Sequence, residues 1–406
     1  MRFSVASTRS AVLLLIAALL LAGCGKTGPQ AAPGGGPLQK LAPVAAEGAV
    51  GVATRNTTRV GGANAAADAA AVARVVYPGL TSTSRPQAVV VVDQRSWPAA
   101  LAASSLAGAP LNAPILFAEG DSLPQVSLEA LEAMHPTGAG TAGAQVIEIA
   151  THARLPGRYS VRAVPAAGPA PISGEIEQLL EQVQGGRPRQ AIVMGTGGSR
   201  ASQMPAAGLS AESGAPLLLT DPGSLSAATA AALTRLHRPA IYVMNGATVG
   251  KAVLGALAKL GSVTRIPEAG TGESASPAAG AIAAARFTDG SFGWGVKEPG
   301  HGLVFANSAR PLDAPAAALF SATGEYGPLL LLEAPNRIDP GLAAYLGNIQ
   351  PAYTTAPEFR PVRGVYNHGW LVGDERTIAL GTQAEIDSLL EISPRKLGGA
   401  EEAPAP

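Results

Sequence analysis

Three arginines stand 103 residues apart in this 406-residue chain: Arg59 in Thr-Thr-Arg-Val, Arg162 in Ser-Val-Arg-Ala-Val and Arg265 in Val-Thr-Arg-Ile-Pro. Short apolar runs keep the same step. Ala88-Val-Val-Val-Val-Asp93 recurs 103 residues on as Ala191-Ile-Val-Met-Gly-Thr196, and 112 residues further as Leu303-Val-Phe-Ala-Asn-Ser308. Each is followed by a Pro-led run: Pro114-Ile-Leu-Phe117, Pro216-Leu-Leu-Leu-Thr220 and Pro328-Leu-Leu-Leu-Leu-Glu333. Unrelated markers that share one period identify a tandem triplication, so the fold is built from three copies of one unit.

Within a unit the pattern alternates strand and helix. Val89–Val92 is continuously apolar, as a strand covered on both faces must be. Pro98 suits the first turn of a helix running through Leu106. Ala65–Val76 and Leu128–Met134 read as helices, and Ile115–Phe117 and Val146–Ile149 as strands. The second unit adds helices over Ser226–Leu236 and Val249–Leu260, a strand at Ile241–Met244 and a turn at Asn245-Gly246. The first unit lacks the counterpart of the last helix. The third carries extra residues around Gly290–Gly300 and again between Ile349 and Tyr366. This alternation predicts an α/β fold, three tandem Rossmann- or flavodoxin-like units with parallel sheets in a pseudo-threefold arrangement. With no linker between them, the units are expected at residues 53–161, 162–264 and 265–395.

The flanks have a different character. Met1–Ser10 carries Arg2 and Arg9 and no acid, and Ala11–Leu21 is an apolar run too short to span a bilayer. Leu21-Ala22-Gly23-Cys24 follows, and it resembles the lipobox of bacterial lipoproteins. That resemblance implies a signal peptide over 1–23, cleavage before Cys24 and acylation of Cys24, which is the only cysteine. More than one acyl chain meets the requirement for stable anchoring. Residues 24–52, rich in Gly, Pro and Ala, read as a flexible spacer, and 396–406 as a disordered tail. The expected location is extracytoplasmic, lipid-anchored to the cell membrane and facing the wall.

Trp97-Pro98-Ala99-Ala100-Leu101-Ala102-Ala103 followed by Ala113-Pro114-Ile115-Leu116-Phe117 resembles the cell wall-binding repeat 2 family. The second unit keeps Gly214-Ala215-Pro216-Leu217-Leu218-Leu219, and the third keeps Pro311-Leu312-Asp313-Ala314. The opening Thr58-Arg59-Val60-Gly61-Gly62-Ala63-Asn64 is similar to the family's Arg-x-x-Gly-x-Asp. The motif aspartate is replaced by Ala99 and Ala201 in the first two units and kept only as Asp313. The resemblance implies a non-catalytic module that binds anionic cell-wall polymer through grooves between units.

Charge bears on the partner. The chain has 29 basic and 29 acidic side chains, so it lacks the net field that draws in nucleic acid, and no nucleic-acid partner is expected. Arginine outnumbers lysine 23 to 6, and guanidinium forks suit phosphate and carboxylate groups. Arg59, Arg162 and Arg265 are therefore candidate ligand-binding residues, the alternative being that they brace unit junctions, and the family resemblance adds Asp313 as the retained motif aspartate. Gly195-Thr196-Gly197-Gly198-Ser199-Arg200 lacks a P-loop lysine. His135, His152, His237, His301 and His368 show no metal-ligand spacing, and Ser308, His368 and Asp374 have no nucleophile elbow beside them. No metal, cofactor or catalytic residue is expected. A second reading stays open, a solute-binding lipoprotein holding a small anion at the strand C-terminal ends. The sequence leaves the oligomeric state undetermined.

Overall fold

The computed structural model describes residues 52–165, 167–244, 248–266, 276–324, 327–353 and 365–394. Cys24, the signal and tail segments, the spacer up to residue 51 and the turn Asn245-Gly246 lie outside these residues. The chain enters through a hairpin, β1 (Val52–Ala53) and β2 (Thr57–Val60), and continues into α1 (Ala65–Val76). Next come β3 (Val89–Asp93), α2 (Trp97–Ala103), β4 (Ile115–Ala118), α3 (Gln125–Met134), β5 (Val146–Ile149) and β6 (Val161–Val164). The middle third holds α4 (Pro169–Gln184), β7 (Gln190–Gly195), α5 (Arg200–Gln203), α6 (Pro205–Ser213) and β8 (Leu217–Thr220). It ends with α7 (Ala227–Arg235), β9 (Ala240–Val243), α8 (Lys251–Leu260) and β10 (Ser262–Arg265). The last third holds α9 (Pro277–Arg286), β11 (Gly302–Asn307), α10 (Asp313–Leu319), β12 (Leu329–Leu332) and α11 (Pro340–Asn348). After β13 (Ala352–Tyr353) come β14 (His368–Val372), α12 (Leu380–Leu390) and β15 (Ser393–Pro394).

Three sheets repeat one strand order: β4-β3-β5-β6, β8-β7-β9-β10 and β12-β11-β14-β2. Every pairing in these orders is parallel, and β1 adds a fifth, antiparallel strand beside β2. The apolar runs read from the sequence are the central strands. Val89–Val92, Ile192–Met194 and Leu303–Ala306 are fully buried because helices cover both faces.

The sheets are out of step with the sequence repeat by one strand. Strand β6, with Arg162, closes the first sheet, and β10, with Arg265, closes the second. Strand β2, with Arg59, closes the third, pairing with β14 more than 300 residues away. Each following helix packs onto the next sheet: α1 on β4 and α3, α4 on β8 and α7, α9 on β12 and α11. The closing strand of each sheet thus comes from the start of another repeat while the helix after it stays with its own, and β2 completes the ring.

At the centre α2, α6 and α10 meet. Their contact is made of alanines (Ala206, Ala207, Ala314, Ala317, Ala318) with Leu101, Leu209 and Phe320 filling between. Small side chains let the backbones come close. The approach is tightest at Gly108, where a Cβ would lie 2.4 Å from the Ala211 carbonyl oxygen.

Residues 150–160 contain no helix, as the first unit's sequence implies; Ala153, Leu155 and Tyr159 cover that face of the sheet instead. The extra residues of the third unit fold back against the second. Phe292 stacks on Tyr242 with ring centroids 3.6 Å apart, Phe287 meets both edge-on, and the Tyr242 hydroxyl donates to Asp289 Oδ2 at 3.2 Å. Burial and the Asp289 carboxylate push the Tyr242 phenol up to about 12, so it remains a donor.

Candidate functional site

The strand offset gives the three repeat arginines different surroundings. Strands β6 and β10 are sheet edges, and Arg162 and Arg265 on them reach solvent; Arg162 Nη2 donates to Gln182 Oε1 at 2.6 Å. Strand β2 is interior, between β14 and β1, and Arg59 on it is 1% exposed. Its guanidinium is consumed by protein acceptors. Nε donates to Gln383 Oε1 at 3.1 Å, Nη1 to the Gly373 and Asp374 carbonyls at 3.1 and 2.8 Å, and Nη2 to the Ile378 carbonyl at 2.6 Å. Burial lowers its pKa from the usual value, and Glu375 and Asp374 oppose that shift. Arg59 holds the loop after β14 and the start of α12 against the N-terminal strand.

Asp313 is fully buried at the start of α10 and faces Asp68 of α1, with Arg310 between them. Arg310 Nη2 pairs with Asp68 Oδ2, Nε lies 3.2 Å from Asp313 Oδ2, and Nη1 donates to Thr377 Oγ1 at 2.8 Å. Asp68 Oδ1 accepts the Gly62 N–H at 2.6 Å. One guanidinium thus serves two carboxylates in a desolvated space. Burial raises Asp68 to about 6, with Arg310 and the Gly62 N–H opposing. Burial and the neighbouring Asp68 raise Asp313 well above the ordinary carboxylate range. Asp68 and Arg310 were not among the candidates from sequence. The available signal was a lone Asp within Ala-rich α1, on the face whose neighbours are all buried.

The other two junctions use other chemistry. Trp97 Nε1 donates to Gln203 Oε1 at 2.6 Å across the first and second units. Gln203 Nε2 in turn donates to the Gly195 and Gly197 carbonyls at 3.2 and 3.0 Å. The Gly-rich turn after β7 is therefore held by its carbonyls and leads into the four-residue α5, not the long helix a phosphate cradle uses. Within the second unit, Arg235 of α7 pairs with buried Glu177 of α4. At the second–third junction the Tyr242–Phe292 stack does the work.

Other polar groups at the strand C-terminal ends are locally satisfied. Asp93 accepts from Arg95 Nη2 at 2.8 Å and from the Arg95 and Gly120 N–H groups. Burial works to raise Asp93, but these bonds outweigh it and hold the carboxyl below the ordinary range. Glu148 on β5 is buried, and burial raises its pKa against the pull of His152 and the Ala153 N–H. Ser308 follows the end of β11, whereas His368 opens β14 opposite Gly302, so six residues or about 20 Å separate them. The His368 ring lies 5.2 Å from Trp370, with Nε2 3.1 Å from Thr58 Oγ1, while Asp374 caps a turn through the Arg376 and Thr377 N–H groups. Among the described residues no three His, Cys, Asp or Glu side chains gather as a metal site. No described helix is long and apolar enough to cross a membrane.

No protein-family model matches this chain, and no curated protein is similar to it. Solved structures are. Cwp6 from Clostridium difficile matches 83% of this chain over 48% of its own length, with a TM-score of 0.63 and 14% identity. Cwp8 from Clostridium difficile matches 83% of this chain over 52% of its own length, with a TM-score of 0.60 and 16% identity. The chain spans about half the length of either. At such identity the likeness is one of fold.

Proposed function

We propose that this is a non-catalytic, lipid-anchored envelope protein that binds anionic cell-wall polymer through grooves between its repeat units. The observation that carries the reading is the ring of three interlocked sheets, an architecture matched over most of the chain in Cwp6 and Cwp8. The lipobox at Cys24 and the spacer behind it supply a membrane tether. The polar groups at the strand ends are engaged in holding loops and junctions, which suits a binding scaffold better than a catalyst. Arg162 and Arg265, on open sheet edges, are available to a polyanion. Arg59 and Asp313 brace the frame. Several weak contacts along one polymer add avidity without a deep site.

The test is co-sedimentation of the purified protein with insoluble cell wall, competed by a soluble phosphate-rich wall polymer. Retention that the polymer reverses supports the reading. Absence of retention, with tight uptake of one small metabolite, would replace it with solute binding.

A further inference from the structure

Both ends of the parallel strands carry charges of both signs, but in different local arrangements. Beyond the C-terminal ends of the strands lie Asp93, Glu119, Asp121, Asp221, Asp374 and Glu375, interleaved with arginines. At the opposite, N-terminal ends basic residues prevail. No acid occurs between Asp68 and Asp93, a stretch with Arg74 and Arg85, nor between Glu181 and Glu212, a stretch with Arg187 and Arg189. Parallel α/β sheets ordinarily place ligands at their C-terminal ends. Here the carboxylates at that end are interleaved with arginines, and cations line two hollows at the other end.

Two hollows open at the basic end. One, of about 320 Å³, is lined by Arg286, Lys297, Tyr345, Asn348 and Ile349 of the third unit. The other, of about 220 Å³, lies in the second unit and is lined in part by Arg187, Arg189 and Gln190. Both sit where the crossover helix ends, at α9 and α4, and the chain returns toward the central strand, β11 or β7. Their remaining walls differ: the end of α11 in the third unit, the end of α6 in the second.

The third-unit hollow is the better prepared. Tyr345 is buried, and its hydroxyl donates to the Val296 carbonyl at 3.1 Å. The Arg286 guanidinium rests 4.9 Å over that fixed ring, which orients it before any ligand arrives. Lys297 stands exposed on another wall, with Glu298 next to it in sequence but outside the lining. Among the described residues, neither Arg286 nor Lys297 has a carboxylate within 4 Å. Asn348 adds an amide that can both donate to and accept from hydroxyls. In the second-unit hollow Arg187 is partly neutralised by Glu181 at 3.2 Å. The volume of the third-unit hollow falls at the lower end of the range for small-molecule pockets, about 300–1,000 Å³.

We infer that the hollow between Arg286, Lys297 and Asn348 receives one anionic sugar residue, its carboxylate or phosphate held by the two cations and its hydroxyls by the amide. This deepens the proposed polymer binding and rests on it. The experiment compares the full chain with Lys297→Gln and with Arg286→Gln/Lys297→Gln, for retention on isolated walls and for competition by two soluble probes, a polyglycerol phosphate and a polyuronate. Lys297 is exposed, so its substitution leaves the fold intact even if loss of Arg286 loosens Tyr345. The expected result is an affinity loss of about tenfold for Lys297→Gln and more for the double variant. Competition by either probe supports the inference and identifies the anion; competition by neither overturns it. If the unaltered chain is retained on walls and both variants are retained equally well, the hollow is not the site while the polymer-binding reading stands. If the unaltered chain is not retained, both readings fall.

Discussion

Arg310 of the third unit pairs with Asp68 of the first helix across 242 positions of sequence, and the buried Asp313 shares the same guanidinium. This junction is the one the chain does not cross directly. The first unit runs into the second and the second into the third. The third meets the first through this cluster, the Arg59 clamp, the β2–β14 pairing and the packing of α1 and α2 on α10.

The cluster makes ring closure depend on protons. Asp68, near 6, and Asp313, higher still, both bind protons more tightly when folded than when unfolded. Stability from this source is therefore complete below the ordinary aspartate value of 3.8 and fades as pH rises through about 6 and beyond. Asp313→Asn keeps a neutral side chain at every pH. Urea midpoints of the two proteins are expected to converge near pH 4 and to separate in favour of the variant near pH 8. A difference that stays constant over that interval would show that the cluster carries no linked proton.

Arg59 and Arg162 occupy matching positions in the repeat, yet their substitution should have unequal effects. Arg59→Met leaves the Gly373, Asp374 and Ile378 carbonyls without their donor in a buried site, at about 3 kcal/mol or more. Arg162→Met alters an edge strand in solvent and should stay within about 0.5 kcal/mol. Chemical denaturation of the pair decides the matter, and equal losses would contradict the interior placement of β2.

A chain beginning at Gly62 lacks β1 and β2 but keeps every strand of the first two sheets. Hydrogen exchange should then report lost protection in β14 and β11, with β3 and β7 still protected. Uniform protection in the shortened chain would mean that the third sheet does not need its borrowed strand.

Phe292→Ala removes the ring stacked on Tyr242 and opens the junction between the second and third units. The expected cost is about 3–5 kcal/mol, as for other buried aromatics truncated to alanine. Tyr242 fluorescence should shift toward that of a hydrated phenol. An unchanged midpoint would assign the insertion a role other than bracing this junction.

Much of the fold could be read from residue order. The helix over Ala65–Val76 and the strand over Val146–Ile149 have the bounds that periodicity predicts, because neither has a breaker within it. Repeat spacing correctly marks Arg59, Arg162 and Arg265 as counterparts. It is silent on which sheet each joins, since equivalence fixes a strand's place in a unit but not the copy of the sheet that receives it. The burial of Arg59 is a long-range consequence of β2 joining β14, which sets the guanidinium against the loop after β14 and the start of α12. The basic hollow was equally hidden, because Arg286 and Asn348 end two separate helices and Lys297 lies in the loop before β11, and only packing brings them together.

The lending of strands sets an order of assembly. Strand β2, made before every strand of the first two sheets, finds its parallel partner only when β14, near the far end of the chain, has been synthesised. Until then its neighbour α1 can settle on the first sheet while β2 itself waits. The cyclic arrangement is sealed by a strand made before any of the three sheets is complete, and excising the repeat that supplies a closing strand leaves another repeat's sheet one strand short.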